Sequence, residues 1–312
     1  MRFIRRPGPL LLAAGVLTLL LPAAVRAQAP DLARLRRTLD SIAAASGGRL
    51  GVGIELLETD THVTRVTRVM LDSAGRFPMQ SVYKLPIAMA TLAAIDAGRL
   101  RLDQVVTISP TEFVTPGQYS PIRDRWPKGT TMPLREVLRF NTVDSDGTAC
   151  DVLLRLVGGP QAVQRWLDSL GVRDVHVHDA ERTLGRDWTA QYRNWASPMG
   201  ALALLRAVHK GRGLTKESHA LLLAHMRATS TGPRRLKAGL PSGTVLAHRT
   251  GSSGTRDGVA AATNDIGIAT LPDGRHVAIA VLLSDSRANE AAREATIAAV
   301  ARAAWAEWQR NE

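Results

Sequence analysis

Cysteine is all but absent from this 312-residue chain: Cys150 stands alone. That excludes an intramolecular disulfide and any zinc or iron–sulfur centre built from several thiolates. Lysine is nearly as scarce. Only Lys84, Lys128, Lys210, Lys216 and Lys237 occur, so 35 of the 40 basic residues are arginine. Aromatic residues make up 4% of the chain, and no internal repeat or long disordered linker interrupts it. With 45% hydrophobic and 22% charged residues, the composition is that of a globular protein with ample core.

Apolar runs long enough to span a bilayer are missing after the N-terminal stretch. That stretch, residues 1–27, reads as a secretory leader. Arg2, Arg5 and Arg6 give the positive start, and Pro9 to Ala24 the apolar run, broken by Pro22. Val25-Arg26-Ala27 supplies the small residues of a cleavage site. No cysteine follows, so a lipid anchor is not supported. The mature chain is expected to begin near Gln28 and to be soluble and periplasmic, with no membrane anchor.

The formal charge of +12 invites a nucleic-acid reading. Four arginines (Arg2, Arg5, Arg6, Arg26) belong to the leader, where there are no acids, which leaves +8 for the rest. The remaining arginines are scattered among acids with no long basic run. This is the pattern of a solvated surface, and nucleic acid is not expected as a partner.

Periodicity places a helix over 31–45, stopped by Gly47-Gly48. Two strands follow at 50–57 and 62–69, around a turn at Glu58-Thr59-Asp60. A helix is expected from Ser81 to Ala97. Further helices are expected over 133–142, 148–157, 160–170, 198–211 and 215–228. Strands return at 244–249, 261–270 and 276–283, and a last helix covers 288–308. Strands thus come from both chain ends and helices fill the middle. Pairing the two ends into one sheet gives an α/β lobe from residues 28–78 and 240–312, with a helical lobe, 79–239, inserted between them. A cleft is expected where the lobes meet.

Four stretches carry chemistry. Ser81 and Lys84 stand one helical turn apart on one face. A serine hydroxyl needs a base to become a nucleophile, and a lysine in a desolvated or electropositive site can be that base, which arginine cannot. Ser145-Asp146-Gly147 offers a second hydroxyl to relay a proton. Arg249-Thr250-Gly251-Ser252 joins a cation, hydroxyls and glycine-opened backbone, which suits a carboxylate and a reacting carbonyl. The irregular polar stretch 178–195 is long enough to be a functional loop, and Glu181 in it can activate water. Each has a plainer account when taken singly: a helix cap, a turn, the end of a surface strand, a solvated acid. His176-Val177-His178-Asp179 lacks the spacing of a His-x-His-x-Asp metal motif, and no metal or other cofactor is expected.

In this order, after a leader, the four stretches resemble the motif set of penicillin-reactive serine enzymes. The chain is similar to class A serine β-lactamases, in particular a PER- and VEB-like branch, over nearly the whole mature length. FPMQSVYKLP (77–86), the Ala149-Cys150-Asp151 run, LVGGP (156–160), QYRNW (191–195), TGPRRLK (231–237), AATNDIGI (261–268) and LPDGR (271–275) carry the likeness. The resemblance implies an antiparallel five-stranded sheet flanked by helices, with an all-helical lobe inserted mid-chain. It implies Ser81 as the acylated nucleophile, Lys84 as its proton partner, Ser145 as the relay to the lactam nitrogen and Glu181 as the base for deacylation. Arg249 and Thr250 would hold the substrate carboxylate. The N–H groups of Ser81 and Ser252 would form the oxyanion hole beside Gly251, and Tyr119 would line the cleft. The implied partner is a small β-lactam, and the implied state a monomer.

Three positions depart from the family pattern. Gly147 replaces the asparagine of Ser-Asp-Asn, removing an amide from the substrate side. Arg249 replaces the lysine of Lys-Thr-Gly and keeps the charge. Gly185 stands where an asparagine commonly follows the loop glutamate, and Gln80 or a neighbour is expected to help position the water instead. Two alternatives stay open here: a D,D-peptidase or transpeptidase, which normally lacks Glu181, and a penicillin-binding sensor that is acylated and stays so.

Overall fold

A computed structural model describes residues 3, 31–58 and 68–309. The expected leader lies outside the described residues, as does most of the expected turn and second strand (59–67).

One antiparallel sheet dominates. Its five main strands run in the spatial order Arg68–Leu71, Arg49–Leu56, His276–Ser286, Val259–Thr270, Leu246–Ser252. A two-residue piece, Thr255–Arg256, pairs with the start of Val259–Thr270. The chain ends meet at the centre, where Arg49 lies opposite Ser284 and Leu56 opposite Val277. The expected α/β fold class holds.

The sheet is covered on both faces, and alternation sorts its residues between them. Leu50, Val52, Ile54, Val277, Ile279, Val281 and Leu283 pack together with residues of the helices Leu32–Ala45 and Glu290–Gln309. On the other face the intervening positions are small: Gly51, Gly53, Ala278 and Ala280. Here the helix Pro198–His209 lies on the sheet. A Cβ on Gly51 would come within 2.5 Å of Phe77, and one on Gly53 within 2.8 Å of Leu202. The glycines are there because helix and strand approach too closely for a side chain. This helix falls inside the 79–239 span by sequence, yet it packs against strands from both chain ends.

The remaining helices surround Lys84–Asp96, which is buried on nearly every side by Leu134–Thr142, Gly147–Val157, Pro160–Ser169 and Lys216–Arg227. A helix so enclosed is apolar all round, and Leu85, Ile87, Met89 and Leu92 are fully buried. It starts later than its sequence implies: Gln80–Tyr83 is a 3₁₀ turn, and α-helix begins at Lys84. Short pairings escaped the sequence reading as well. Val105–Ile108 pairs with Thr130–Pro133, while Phe77–Pro78 and Val175–His176 flank Trp195–Ala196. Strands of two to four residues are too short to show a period. Among the described residues no helix is long and apolar enough to cross a membrane.

Candidate active site

The nucleophile segment is pinned before it turns. Phe77-Pro78 pairs with Trp195-Ala196, Met79 N–H donates to Asn194 O at 2.8 Å, and Asn264 Nδ2 donates to the carbonyls of Pro78 and Met79 at 2.8 and 3.1 Å. Gln80 then takes a positive φ of 48°, a costly backbone for a side-chain-bearing residue, and reverses the chain so that Ser81 faces the cleft. Gly251 on the edge strand lies against this turn; a Cβ there would stand 2.3 Å from Met79 O and 3.2 Å from Ser81 N. Glycine at 251 is what lets the strand edge approach the nucleophile's backbone.

Lys84 is 2% exposed, and its Nζ makes three contacts. It lies 3.0 Å from Ser81 Oγ, 2.9 Å from the Ser145 carbonyl and 2.7 Å from Glu181 Oε1. Three acceptors match the three N–H bonds of an ammonium. Glu181 Oε1 is buried, with the Lys84 ammonium as its charged partner.

Glu181 opens the short helix Glu181–Arg186, and two groups that sequence reasoning missed fix it. Asp151, from the Gly147–Val157 helix, accepts from Glu181 N at 2.7 Å and Arg182 N at 3.0 Å. Burial, and then the charge of Glu181, push the Asp151 carboxyl up to about 6. Gln118 Nε2 donates to Glu181 O at 2.6 Å and reaches Oε2 at 3.3 Å. Gly185 makes this possible: a Cβ there would lie 2.1 Å from Gln118 Oε1 and 2.4 Å from Thr115 Oγ1. The amide beside Glu181 therefore belongs to Gln118. Gln80, expected itself or through a neighbour to help position the water, lines the same cleft and donates to Gln191 Oε1 at 2.5 Å.

Ser145 also adopts a positive φ, 65°, which turns its carbonyl to Lys84 while its hydroxyl accepts from Arg249 Nη2 at 2.8 Å. Arg249 further donates to Ser81 O at 2.9 Å and Thr142 O at 3.3 Å, and it is fully buried. Burial lowers its guanidinium to about 10, still charged at neutral pH. Arg249, expected at a ligand carboxylate, has no exposed surface and is not among the residues lining the cleft; it lies against Ser81 and Ser145. Gly147 is likewise displaced from its expected place in the lining. It is buried, donates to Tyr119 O at 3.0 Å, and a Cβ would meet Val114 at 3.2 Å.

The cleft between these elements has a volume of about 420 Å³. Gln80, Ser81, Lys84, Tyr119, Ser145, Glu181, Thr250, Gly251 and Ser252 line it, as expected. Gln118, Trp188 and Thr231 join them. Thr231 Oγ1 is 2.5 Å from Thr250 Oγ1. Buried Arg235 donates to Ser252 Oγ at 2.6 Å and to Gly251 O at 3.2 Å, adding a second cation behind this wall. Thr231 and Arg235 belong to a stretch noticed only for its likeness, with no chemistry attached to it. A more open groove of about 550 Å³ lies around Trp195, on which His176 stacks at 4.1 Å; it holds no activated nucleophile. His178 pairs with Asp179 at 3.1 Å.

What this arrangement can do is acyl transfer: a hydroxyl beside an amine, the amine beside a carboxylate, and a second hydroxyl whose lone pair is held by a cation. Comparison with known proteins points the same way. Residues 34–308 match the profile of the beta-lactamase enzyme family. Beta-lactamase VEB-1 of Pseudomonas aeruginosa is 37% identical over 270 residues, covering 86% of this chain and 88% of the relative. Extended-spectrum beta-lactamase PER-1 of the same organism is 38% identical over 272 residues, covering 87% and 86%. The crystal structure of a beta-lactamase from Chitinophaga pinensis superposes with a TM-score of 0.83 at 44% identity, covering 88% of this chain and 98% of that one. The TLA-1 extended spectrum beta-lactamase gives 0.84 at 35% identity, covering 89% and 99%.

Proposed function

The chain belongs to the class A serine β-lactamases, enzymes that hydrolyse β-lactams and confer antibiotic resistance, and from that premise we propose how its own residues carry the reaction. The observation that carries the reading is the simultaneous contact of Lys84 Nζ with Ser81, Ser145 and Glu181.

Glu181 takes a proton from Lys84, and the neutral amine takes the Ser81 hydroxyl proton as Oγ attacks the lactam carbonyl. The N–H groups of Ser81 and Ser252 receive the developing oxyanion, a role supported by the close approach of Gly251 to the nucleophile turn. Arg249 cannot accept a hydrogen bond, so it holds a lone pair of Ser145 Oγ and leaves that hydroxyl proton free to point elsewhere. Ser145 gives the proton to the departing nitrogen as the C–N bond breaks, and its hydroxyl, once turned from Arg249, recovers one from Lys84, whose Nζ lies 2.9 Å from the Ser145 carbonyl. The proton held by Glu181 returns to the neutral Lys84 amine; the Glu181 carboxylate, oriented by Gln118 and Asp151, then strips a proton from water, which attacks the Ser81 ester, and Ser81 Oγ leaves with a proton from Lys84. Thr250 and Ser252 meet the substrate carboxylate, with Arg249 and Arg235 supplying positive charge behind them. Tyr119 and Trp188 form the outer walls.

The reaction draws on one chain alone, which supports a monomer, and on no cofactor. The two lobes are 28–78 with 240–312 and the helical 79–239, the cleft lying between them. The leader is removed near Gln28 and the enzyme works in the periplasm. The contact of Glu181 with Lys84 favours a hydrolase over a D,D-peptidase or a sensor that keeps its acyl group.

Turnover of a chromogenic cephalosporin, followed with intact mass, tests the assignment. Ser81→Ala abolishes the covalent adduct. Glu181→Gln slows acylation and slows deacylation more, so that one opened lactam per chain accumulates, with turnover down about 10²- to 10⁴-fold. Unimpaired turnover in Glu181→Gln overturns the base assignment.

A further inference from the structure

Away from the cleft, three potential metal ligands converge. Glu58 follows the strand Arg49–Leu56, His276 begins the strand His276–Ser286, and His209 ends the helix Pro198–His209. Their ligand atoms all lie within 4.8 Å of one another, and all three residues are partly exposed. Thr270 pairs with His276 and Asn264 with Leu282, so the cluster stands six residues along the sheet from the turn that holds Ser81, about 20 Å away.

The carboxylate is held in advance. Glu58 Oε2 accepts from the backbone N–H of His276 at 2.6 Å. This leaves Oε1 facing both imidazoles, 2.5 Å from His276 Nδ1 and 3.2 Å from His209 Nε2. A ligand oxygen fixed by a backbone donor is the kind of support that metal-binding carboxylates receive from their surroundings. The His209 and His276 rings lie 4.8 Å apart.

We propose that Glu58, His209 and His276 bind one divalent transition-metal ion, zinc by the chemistry of the donor set, and thereby tie the Pro198–His209 helix to the edge of the two central strands. Two imidazole nitrogens and one carboxylate oxygen, with water in the fourth position, make a tetrahedral zinc set. Bonds of about 2.0–2.1 Å at tetrahedral angles separate neighbouring ligand atoms by about 3.3 Å. The His209 to Glu58 separation already meets that value. The His276 ring has to open from Glu58 by less than about 1 Å, exchanging its hydrogen bond to Oε1 for a bond to the ion, and the two imidazoles, whose ligand atoms lie within 4.8 Å, have to settle at the same spacing. The site is independent of the acyl-transfer reading, since none of its residues touches the cleft.

Zinc titration of the purified, untagged protein by calorimetry tests the proposal, with β-lactam turnover used only to show that each variant is folded. The unaltered protein takes up one equivalent, and its thermal midpoint rises with zinc. His209→Gln and His276→Gln each weaken binding by at least about 100-fold, while His178→Gln, at an exposed histidine outside the cluster, leaves it unchanged. Absence of stoichiometric binding, or equal binding in the His209→Gln/His276→Gln protein, overturns the site and leaves an ordinary carboxylate–imidazole contact. Should either variant fail to fold, cobalt(II) in the unaltered protein decides. The intense absorption of a four-coordinate ion supports the site, and the weak spectrum of the aqueous ion refutes it.

Discussion

The two walls of the cleft have met the same loss in different ways. Both Gly147 and Gly185 stand where the family pattern has asparagine. On the Glu181 wall the space beside Gly185 is filled by Gln118, whose amide reaches the Glu181 carbonyl and carboxylate. On the Ser145 wall the space beside Gly147 is closed by Val114 and the Tyr119 carbonyl, the nearest of the described residues to a Cβ there. One wall carries its amide on a facing loop; the other is closed by an apolar side chain and a backbone carbonyl. A glycine in a motif is therefore uninformative until one knows what fills the volume it leaves.

The comparison can be broken most sharply at Gly185. A methyl group there displaces Gln118, so Gly185→Ala and Gln118→Ala should each slow deacylation about 10- to 100-fold, the cost of two hydrogen bonds, one of them to a charged acceptor. Because both changes remove the same contact, the double variant should be no slower than either single one. Additive losses in pre-steady-state deacylation would show that Gln118 is not the replacement.

A smaller effect is expected at Asp151. Its carboxyl is raised from 3.8 to about 6, so folding favours the protonated form. The stability it contributes is greatest below about 4 and is lost as pH rises through about 6. Its grip on Glu181 has the opposite dependence, because protonation converts one of its two acceptor oxygens into a hydroxyl. Asp151→Asn should flatten the acid limb of kcat near pH 6, lose less than about tenfold at pH 7, and raise the thermal midpoint at pH 8 relative to the parent. An unaltered acid limb would free Asp151 from any role in turnover.

The smallest effect belongs to the uncompensated wall. A Cβ at Gly147 meets neighbours at 3.2–3.3 Å, which a few tenths of an ångström relieve. Gly147→Ala should change unfolding free energy by less than about 1 kcal/mol and leave deacylation untouched. A loss on the scale of Gly185→Ala would mean that the two walls are not different in kind.

Much of this was legible in the sequence, for identifiable reasons. The sheet announces itself in alternations such as Leu50-Gly51-Val52-Gly53-Ile54, because two-sided burial leaves a period of two. The apolar run after Ser81 announces the central helix, because burial on all sides leaves no polar face. Ser81, Lys84, Ser145 and Glu181 do come together, since each lies in a stretch with its own spacing. What escaped has no local period: Gln118 and Thr231 act across chain separations that no pattern spans, and Asp151 looks like any acid on a helix. Arg249 was read as a cation at a strand edge. Its full burial follows from Ser145 turning its hydroxyl toward it, a turn set by a backbone angle that sequence does not display. The Glu58, His209 and His276 cluster is silent for the same reason, since 150 residues lie between its first two members.

The pairing of Arg49 with Ser284 also has a consequence for how the protein is made. A ribosome delivers the first strand long before the one that must lie beside it, so the central ladder cannot zip until almost the final helix has emerged. Through most of its synthesis the polypeptide therefore has no finished scaffold to resist being threaded, a delay built into the order of the strands themselves.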